Sequence, residues 1–549
     1  MPKLRGADIL ARALAAAGAR DVFSLSGNHI MPVYDAALDA GLRITHVRHE
    51  GAAVHMADAW GRLTGEPGIA LLTGGPGHAN GIGALYTALA GESPLVMLSG
   101  HAPLNQLGRG AFQEMPQADM AAPTTKASFT AASAQSLGDD LARAMRLARG
   151  GRPGPVHLSL PQDVLDQVVE DGERWVPARD AFHAAVQALG AAPTQHVLAA
   201  LAGAQRPLII AGPQLASHRG SALCQQLRDA TGVAVVCMES PRGIGDPCLG
   251  AFGDVLPDAD LIVLLGKQPD FTLKFAVPPA VNAKCRFVVI DADINVLRRS
   301  IQTLKAERVL ASALADAPQA AQALMAAAIK NPLKTDTYYK SVEEAVAWRP
   351  ASWATAAAQG PGVVHPLALG RAAQPLLDAA DDPIFISDGG EIGQGAQACL
   401  QAETRIINGV AGSIGSAIPF ALAARVARPN ATIIATLGDG TFGFHMAEFD
   451  TAVRHGLPFV AIVGNDSTWN AEYQIQLRTY GKDRAHGCEL APGTAYEQVV
   501  TALGGHGERV TRTEDLPGAL QRALKSGKPA CVNVMVERLP APNVTRQGV

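Results

Sequence analysis

Short apolar runs recur along the chain, each closed by Gly, Pro or a small polar residue. Longer stretches with apolar positions at helical spacing separate them. "DVFSLSG", "GIALLTGG", "PLVMLSG" and "GPVHLSLP" read as strands buried on both faces, because they are short, rich in Val, Ile and Leu, and do not alternate. "GADILARALAAAGA" and the stretch beginning at Glu50 read as helices. The same alternation returns in "QRPLIIAGP", "GVAVVCM", "ADLIVLLG" and "CRFVVIDAD", and again in "PIFISDGG", "ATIIATLGDG", "FVAIVGND" and "ACVNVMVE". The pattern predicts an α/β protein with three doubly wound parallel-sheet domains, over residues 1–170, 190–330 and 355–549. "DGERWVPARDAF" and "KNPLKTDTYYKSVEEAVAWRPASW" are expected to link them. In such sheets ligands sit beyond the carboxyl ends of strands, so the Gly-rich turns there are the places to look for chemistry.

Composition narrows the partners. Of 549 residues, 48% are hydrophobic and 17% charged, with 46 Lys plus Arg against 50 Asp plus Glu. No basic block exists to neutralise nucleic-acid phosphates. No apolar run approaches the roughly 18 residues of a membrane span, and "MPKLRGADIL" lacks the apolar core of a signal peptide. The seven cysteines are scattered, with no C-x-x-C. A reduced, cytoplasmic, soluble protein is expected.

Two stretches carry candidate chemistry. In "VRHEGAAVHMADAWGRLTG", Glu50 stands alone among small and apolar residues, flanked by His49 and His55. The histidines are six apart, roughly 240° around a helix, so they do not chelate one ion from one helix face. Glu50 itself reads either as a solvated residue at a helix start or as a functional acid. In "LGDGTFGFHMAEFDTAVRHGLPFVAIVGNDSTW", one strand ends at Gly438-Asp439-Gly440 and the next at Asn465-Asp466. Adjacent parallel strands would put both turns at one sheet edge. Oxygen ligands from two such loops suit an octahedral Mg²⁺ that also grips a phosphate. Gly440 allows close backbone approach, and the helix following Thr441 offers N–H groups to an anion. The alternative is a pair of Asp caps.

These segments resemble the thiamine diphosphate (ThDP)-dependent superfamily of acetolactate synthases, benzaldehyde lyases and 2-hydroxyacyl-CoA lyases. The resemblance runs along the chain, through "RHEGAAVHMADAWGRLTG", "LLTGGPGHANG", "GRGAFQEMPQ", "GRPGPVHLSLP", "GSIGSAIPFALAA", the G-D-G segment and "AYEQVVTALGG". It implies a pyrimidine-binding, a central and a diphosphate-binding domain. It also implies a homo-oligomer, at least a dimer and expected to be a tetramer, whose active sites are each shared by two subunits. Glu50 matches the glutamate that bonds N1′ of the cofactor's aminopyrimidine. That contact favours the imino tautomer, which removes the C2 proton to give an ylide that attacks a carbonyl carbon, and the thiazolium then accepts the electron pair released when the adjacent C–C bond breaks. Asp439, Asp466 and the Thr468 carbonyl match the metal ligands. Family members usually carry Asn where Asp466 stands. The extra charge, ~5 Å from the diphosphate, adds a raw repulsion of ~3 kcal/mol at an effective dielectric of ~20, which direct contact with Mg²⁺ should offset. Ile414 matches the apolar residue under the bent cofactor, and Gly412 a backbone contact to the pyrimidine. Gly390, Glu391 and Gln394 match a further diphosphate loop, and Gly440 and Thr441 complete the first. Pro76 and Asn80 are expected near the pyrimidine, while Gly75 and Gly77 read as parts of a tight turn.

The resemblance leaves the substrate open. His29 in "SLSGNHI" matches a histidine facing the reactive carbon, able to move a hydroxyl proton, or else it caps a turn. Gln113 matches a substrate-side glutamine, and Trp469 and Tyr473 would line the substrate funnel. His78, His101 and His445 are expected to be structural. Arg242, Lys267 and Lys274 are candidate cations for CoA phosphates, and whether FAD or a CoA-type nucleotide occupies the central domain stays open. The expected activity is a ThDP- and Mg²⁺-dependent carbon–carbon lyase or carboligase acting on 2-hydroxyacyl-CoA or 2-hydroxy ketones. Acetolactate synthase-type transferase chemistry on pyruvate, or a catalytically silent assembly subunit, are the alternatives.

Overall fold

The computed structural model describes residues 3–329 and 337–546. The chain forms two compact units. One comprises Met1–Ala185 with Ile418–Pro429 and His445–Pro458; the other comprises Val186–Ala417, Asn430–Phe444 and Phe459–Val549.

The first unit holds a six-stranded parallel sheet in the spatial order Arg43–His46, Asp21–Ser24, Gly68–Leu72, Leu95–His101, Pro155–Pro161 and Ala127–Thr130. Numbered along the chain, the strands run 2-1-3-4-6-5. The central strands Gly68–Leu72 and Leu95–His101 are buried at every residue, which is why the first is wholly apolar and the second opens with the apolar run Leu95–Leu98. The Glu50–Thr64 helix is buried along almost its whole length and built from small residues. It packs against the Pro76–Ala90 helix.

The second unit holds two parallel sheets. Its central sheet has five strands ordered Ala234–Cys237, Pro207–Ala211, Leu261–Leu265, Arg286–Asp291 and Val309–Leu314. Apolar clusters cover both faces. Its six-stranded sheet is ordered Thr404–Ile407, Pro383–Asp388, Thr432–Gly438, Val460–Asn465, Ala530–Met535 and His506–Val510. Counted along the chain this is again 2-1-3-4-6-5. In each six-stranded sheet the order reverses between the first and third strands, the point where open α/β sheets bind ligands.

One expectation needs correction. Of the second linker stretch, residues 330–336 lie outside the described residues, but Thr337–Ala347 is a helix. It buries Tyr338, Val342 and Ala345 against the central sheet, so it belongs to the core. Among the described residues, no helix is long and apolar enough to cross a membrane.

Candidate active site

At the reversal point of the first sheet, the strand Gly68–Leu72 runs into a turn at Thr73, Gly74 and Gly75, and Pro76 then opens the next helix. Gly75 has φ +58°, a conformation that costs glycine little. Glu50 starts the neighbouring helix, which His49 caps by accepting the Gly51 N–H at 3.0 Å. The Glu50 carboxylate is buried and accepts a hydrogen bond from Asn80 Nδ2 at 3.0 Å. A Cβ on Gly77 would lie 3.3 Å from Glu50 Oε1 and 2.6 Å from Thr73 Cγ2. Gly77 is therefore more than part of a turn: its bare backbone leaves room for the acid.

His29 lies in the short 3₁₀ segment Asn28–Ile30, just beyond the first strand. It is buried, with Nδ1 3.4 Å from Thr73 Oγ1 and its ring stacked on Phe112 at 5.9 Å. Burial holds its imidazole below the usual value, so it is neutral at pH 7. Gln113 adopts φ +56° and packs so closely on Gly75 that a Cβ there would meet Gln113 Cβ at 2.7 Å and its carbonyl oxygen at 2.8 Å. Glu50, Pro76, Asn80, His29 and Gln113 thus gather around the stretch from Thr73 to Asn80.

Two further residues of this unit, both inside motifs quoted above but not singled out there, hold that arrangement. Gln117 is fully buried and accepts the Gly75 N–H at 2.8 Å while donating to the Gly100 carbonyl at 3.0 Å. Glu448 accepts the Arg48 N–H at 3.0 and 3.1 Å, fixing the backbone two residues before Glu50. Only the bonds identify them, because each is an ordinary polar residue far away in sequence. His78 bonds Ser99 at 3.0 Å inside the core, and both ring nitrogens of His101 bond backbone carbonyls. His445 packs edge-on against His49 and His55, with ring centroids 5.8 and 5.7 Å apart.

At the reversal point of the C-terminal sheet, a cavity of about 230 Å³ is lined by Gly390, Glu391, Gln394, Gly412, Ile414, Asp439, Gly440, Thr441, Asp466, Thr468 and Trp469. Tyr473 is not among its lining residues; the Arg538 guanidinium lies 5.0 Å over its ring. The strands ending at Gly438 and Asn465 are parallel neighbours, and Asp439 ties their turns together. Its Oδ1 accepts the Gly440 N–H and its Oδ2 the Ser467 N–H, both at 2.8 Å. Asp466 is buried, and its Oδ2 has no hydrogen-bond partner among the described residues. Burial, then the neighbouring Asp439 charge, pushes its carboxyl up to about 7. Burial pushes Asp439 up to about 6. A buried carboxylate oxygen without a partner is costly alone and fits a cation beside it. Among the described residues no group of three or more His, Cys, Asp or Glu could hold a metal. Two carboxylates and a carbonyl leave coordination positions for phosphate oxygens and water, so the donor set fits a hard cation shared with a diphosphate.

Gly440 lets the Trp469 ring sit against the turn, since a Cβ there would lie 2.6 Å from Cζ3. Glu391 is engaged elsewhere, its Oε2 accepting the Ala541 N–H. Gln394 donates to the Gly390 carbonyl at 3.0 Å. Asp388, which the sequence reading passed over, is the hub. It accepts the Gly389 N–H at 2.6 Å, the Ala417 N–H at 2.9 Å and the Ser416 hydroxyl at 3.2 Å. It thereby joins the loop of Gly390 to the loop of Gly412 and Ile414. Asn408 braces the second loop by donating to the Ser413 carbonyl at 2.7 Å. Of the candidate CoA cations, Arg242 lines the cavity. Lys267 is buried on Asp270 at 2.8 Å. Lys274 lies in a turn at φ +49°.

Comparison with known proteins gives the family of the chain. The thiamine pyrophosphate enzyme N-terminal TPP binding domain matches residues 4–121, and the corresponding C-terminal TPP binding domain matches residues 388–534. A probable acetolactate synthase of Mycobacterium bovis is 30% identical over 550 residues, covering 96% of this chain and 95% of the relative. A 2-hydroxyacyl-CoA lyase of Oryza sativa subsp. japonica is 27% identical, covering 97% and 96%. The 2-hydroxyacyl-CoA lyase 2 of Homo sapiens is 28% identical, covering 97% and 90%. With its two thiamine pyrophosphate-binding domains and relatives that match along nearly its whole length, the chain belongs to the ThDP-dependent enzyme superfamily of acetolactate synthases and 2-hydroxyacyl-CoA lyases.

Proposed function

We propose that this enzyme is a ThDP- and Mg²⁺-dependent lyase or carboligase that cleaves a 2-hydroxyacyl-CoA or 2-hydroxy ketone into an aldehyde and an acyl-anion equivalent. Bound ThDP supplies the electron sink for the breaking C–C bond. Asp439, Asp466 and the Thr468 carbonyl would hold the metal, with Gly390, Gly440 and Thr441 around the diphosphate and Gly412 and Ile414 along the pyrimidine. Glu50, oriented by Asn80, would hold a proton at N1′. Gln113 would orient a substrate oxygen, with Trp469 and Tyr473 on the substrate side. The working form would be a cytoplasmic homo-oligomer, a dimer or tetramer, in which two subunits complete each active site.

The observation that carries the choice of substrate is His29. It is buried, neutral at pH 7 and bonded to the same Thr73 that packs beside the Glu50 turn. Cleaving the bond between a carbonyl carbon and a hydroxyl-bearing carbon requires a base for the hydroxyl proton. Loss of CO₂ from pyruvate does not. The second reading, pyruvate decarboxylation followed by carboligation, is favoured by the 30% identity to an acetolactate synthase. The test is to supply the protein with ThDP and Mg²⁺ and offer pyruvate, benzoin-type ketones and 2-hydroxyacyl-CoAs. Aldehyde release from a 2-hydroxy substrate is expected. CO₂ and acetolactate from pyruvate, with no aldehyde from the others, would overturn the preferred reading in favour of the second.

A further inference from the structure

Outside the cofactor site, the second unit contains a cavity of about 590 Å³, beside the edge strand Ala234–Cys237 of the central sheet. Three cysteines, 224, 237 and 248, line it, together with Arg228 and Arg405. Cys224 stands on the His218–Thr231 helix and Cys237 ends the strand that follows. The turn at Gly232 folds the two elements back on each other and brings together thiols 13 residues apart, a proximity no C-x-x-C spacing announces. The Cys237 thiol donates to Cys224 Sγ at 3.4 Å, and the two thiols lie 3.5 and 3.8 Å from the Leu215 carbonyl. Cys224 is buried while Cys237 is half-buried.

We propose that Cys224 and Cys237 form an oxidisable dithiol, a modification site that hydroperoxides convert into an intramolecular disulfide. The hydrogen bond from Cys237 holds the Cys224 thiol below its usual value against the opposing effect of burial, and Arg228 adds to that effect. Cys224 lines the cavity and accepts the hydrogen bond of the Cys237 thiol, an arrangement that stabilises its thiolate as the attacking group. Its thiolate attacks one peroxide oxygen and the O–O bond breaks. The leaving hydroxide takes up a proton as water, and Cys224 becomes a sulfenic acid. The Cys237 sulfur then attacks the Cys224 sulfur and displaces hydroxide, which leaves as a second water with the Cys237 proton. The two thiols lose two electrons and two protons, and one peroxide becomes two waters. The sulfurs must close from 3.4 Å to about 2.05 Å. The bond would staple the helix to the edge strand at the cavity wall. Cys248 is the internal control: burial pushes its thiol up, and it donates to the Gln397 carbonyl at 3.1 Å.

The test treats the intact protein with hydrogen peroxide, blocks residual thiols by alkylation and maps the digest without reduction. Free thiols should fall from seven per chain to about five. A single cross-linked peptide pair should contain Cys224 and Cys237 and disappear on adding dithiothreitol. Cys224→Ser and Cys237→Ser should each abolish the pair, and Cys248→Ser should leave it intact. Mapping on the unsubstituted chain keeps the test valid if a variant fails to fold. The proposal is overturned if all thiols survive, if either cysteine goes to sulfinic acid without cross-linking, or if the bridge formed includes Cys248.

Discussion

The N-terminal and C-terminal sheets thread six strands in the same order, 2-1-3-4-6-5, and each places polar side chains where that order reverses. The two ends are nevertheless built on opposite principles. Around Glu50 the acid already has a donor, Asn80, and its helix is capped and braced at Arg48. Around Asp439 and Asp466 the protein places two buried carboxylates together, raises both toward neutral pH and leaves one oxygen without a partner among the described residues. The first end is complete in itself; the second stores an electrostatic deficit that an incoming cation would cancel. Under the proposed function, one topology would serve two tasks: positioning a proton on one sheet and attracting a charged ligand on the other.

Breaking the first end should cost most. Glu50→Gln keeps the size and one acceptor but cannot exchange a proton. Turnover should fall by about 10³-fold with ThDP binding and circular dichroism little altered. Turnover near that of the unsubstituted enzyme would remove Glu50 from the chemistry and revive the silent-subunit alternative.

The next effect is on stability at the second end. Burial pushes Asp388 up to about 6 from an ordinary 3.8. The folded state therefore holds its proton more tightly than the unfolded chain. Its contribution is full below about pH 4 and is lost as pH rises through about 6, on the order of 3 kcal/mol. In Asp388→Asn that pH dependence disappears. The Asn amide cannot replace both acceptor oxygens, so either the Gly389 N–H or the Ala417 N–H and Ser416 hydroxyl lose their acceptor. Denaturant melts of both proteins at pH 4 and pH 8 check this: the difference between them should change by that amount. Parallel pH profiles would show that Asp388 is not the hub.

Two glycine substitutions sharpen the contrast. Gly440→Ala pushes on the Trp469 ring, and Gly77→Ala pushes on Thr73 and Glu50. Gly440→Ala should raise the half-saturating ThDP concentration about tenfold and spare kcat at saturation. Gly77→Ala should lower kcat about tenfold and spare ThDP affinity. Both substitutions moving the same parameter would contradict the division of labour.

What the sequence could reveal follows from where information is local. Continuous apolar runs marked the central strands, because a strand buried on both faces has no polar side to show. Of the strands it missed, Arg43–His46, Ala127–Thr130, Val309–Leu314, Thr404–Ile407 and His506–Val510 lie at the edges of the three large sheets, and Leu4–Arg5 and Val168–Val169 form a separate antiparallel pair. There burial is partial, as in the alternating exposure of Val309–Leu314, and polar residues interrupt the run. The same rule holds at the sites. Glu50, Asp439 and Asp466 sit inside short motifs and could be read directly. Asp388, Gln117 and Glu448 act through hydrogen bonds to loops between 29 and 400 residues away, which no spacing reveals. Likewise, the burial that keeps His29 neutral arises from packing against Thr73 and Phe112, not from its neighbours in sequence.

The smallest expected effects come from the amide that braces each end. Asn80 donates to Glu50 Oε2 at 3.0 Å, and Asn408 donates to the Ser413 carbonyl next to Ile414 at 2.7 Å. Each contact is one hydrogen bond, worth about 1 kcal/mol net, or roughly fivefold. The cost should stay this low because neither amide is fully sealed from solvent: Asn80 is exposed at its own surface and Asn408 borders the cavity. Water can therefore supply a donor after truncation. Asn80→Ala should then lower kcat by that factor without moving ThDP affinity. Asn408→Ala should loosen the Ile414 loop and weaken ThDP binding by a similar factor without moving kcat. A loss of 10²-fold or more in Asn80→Ala would mean that the amide touches the reacting groups and is more than a brace for Glu50, making the first end less self-contained than its hydrogen bonds imply.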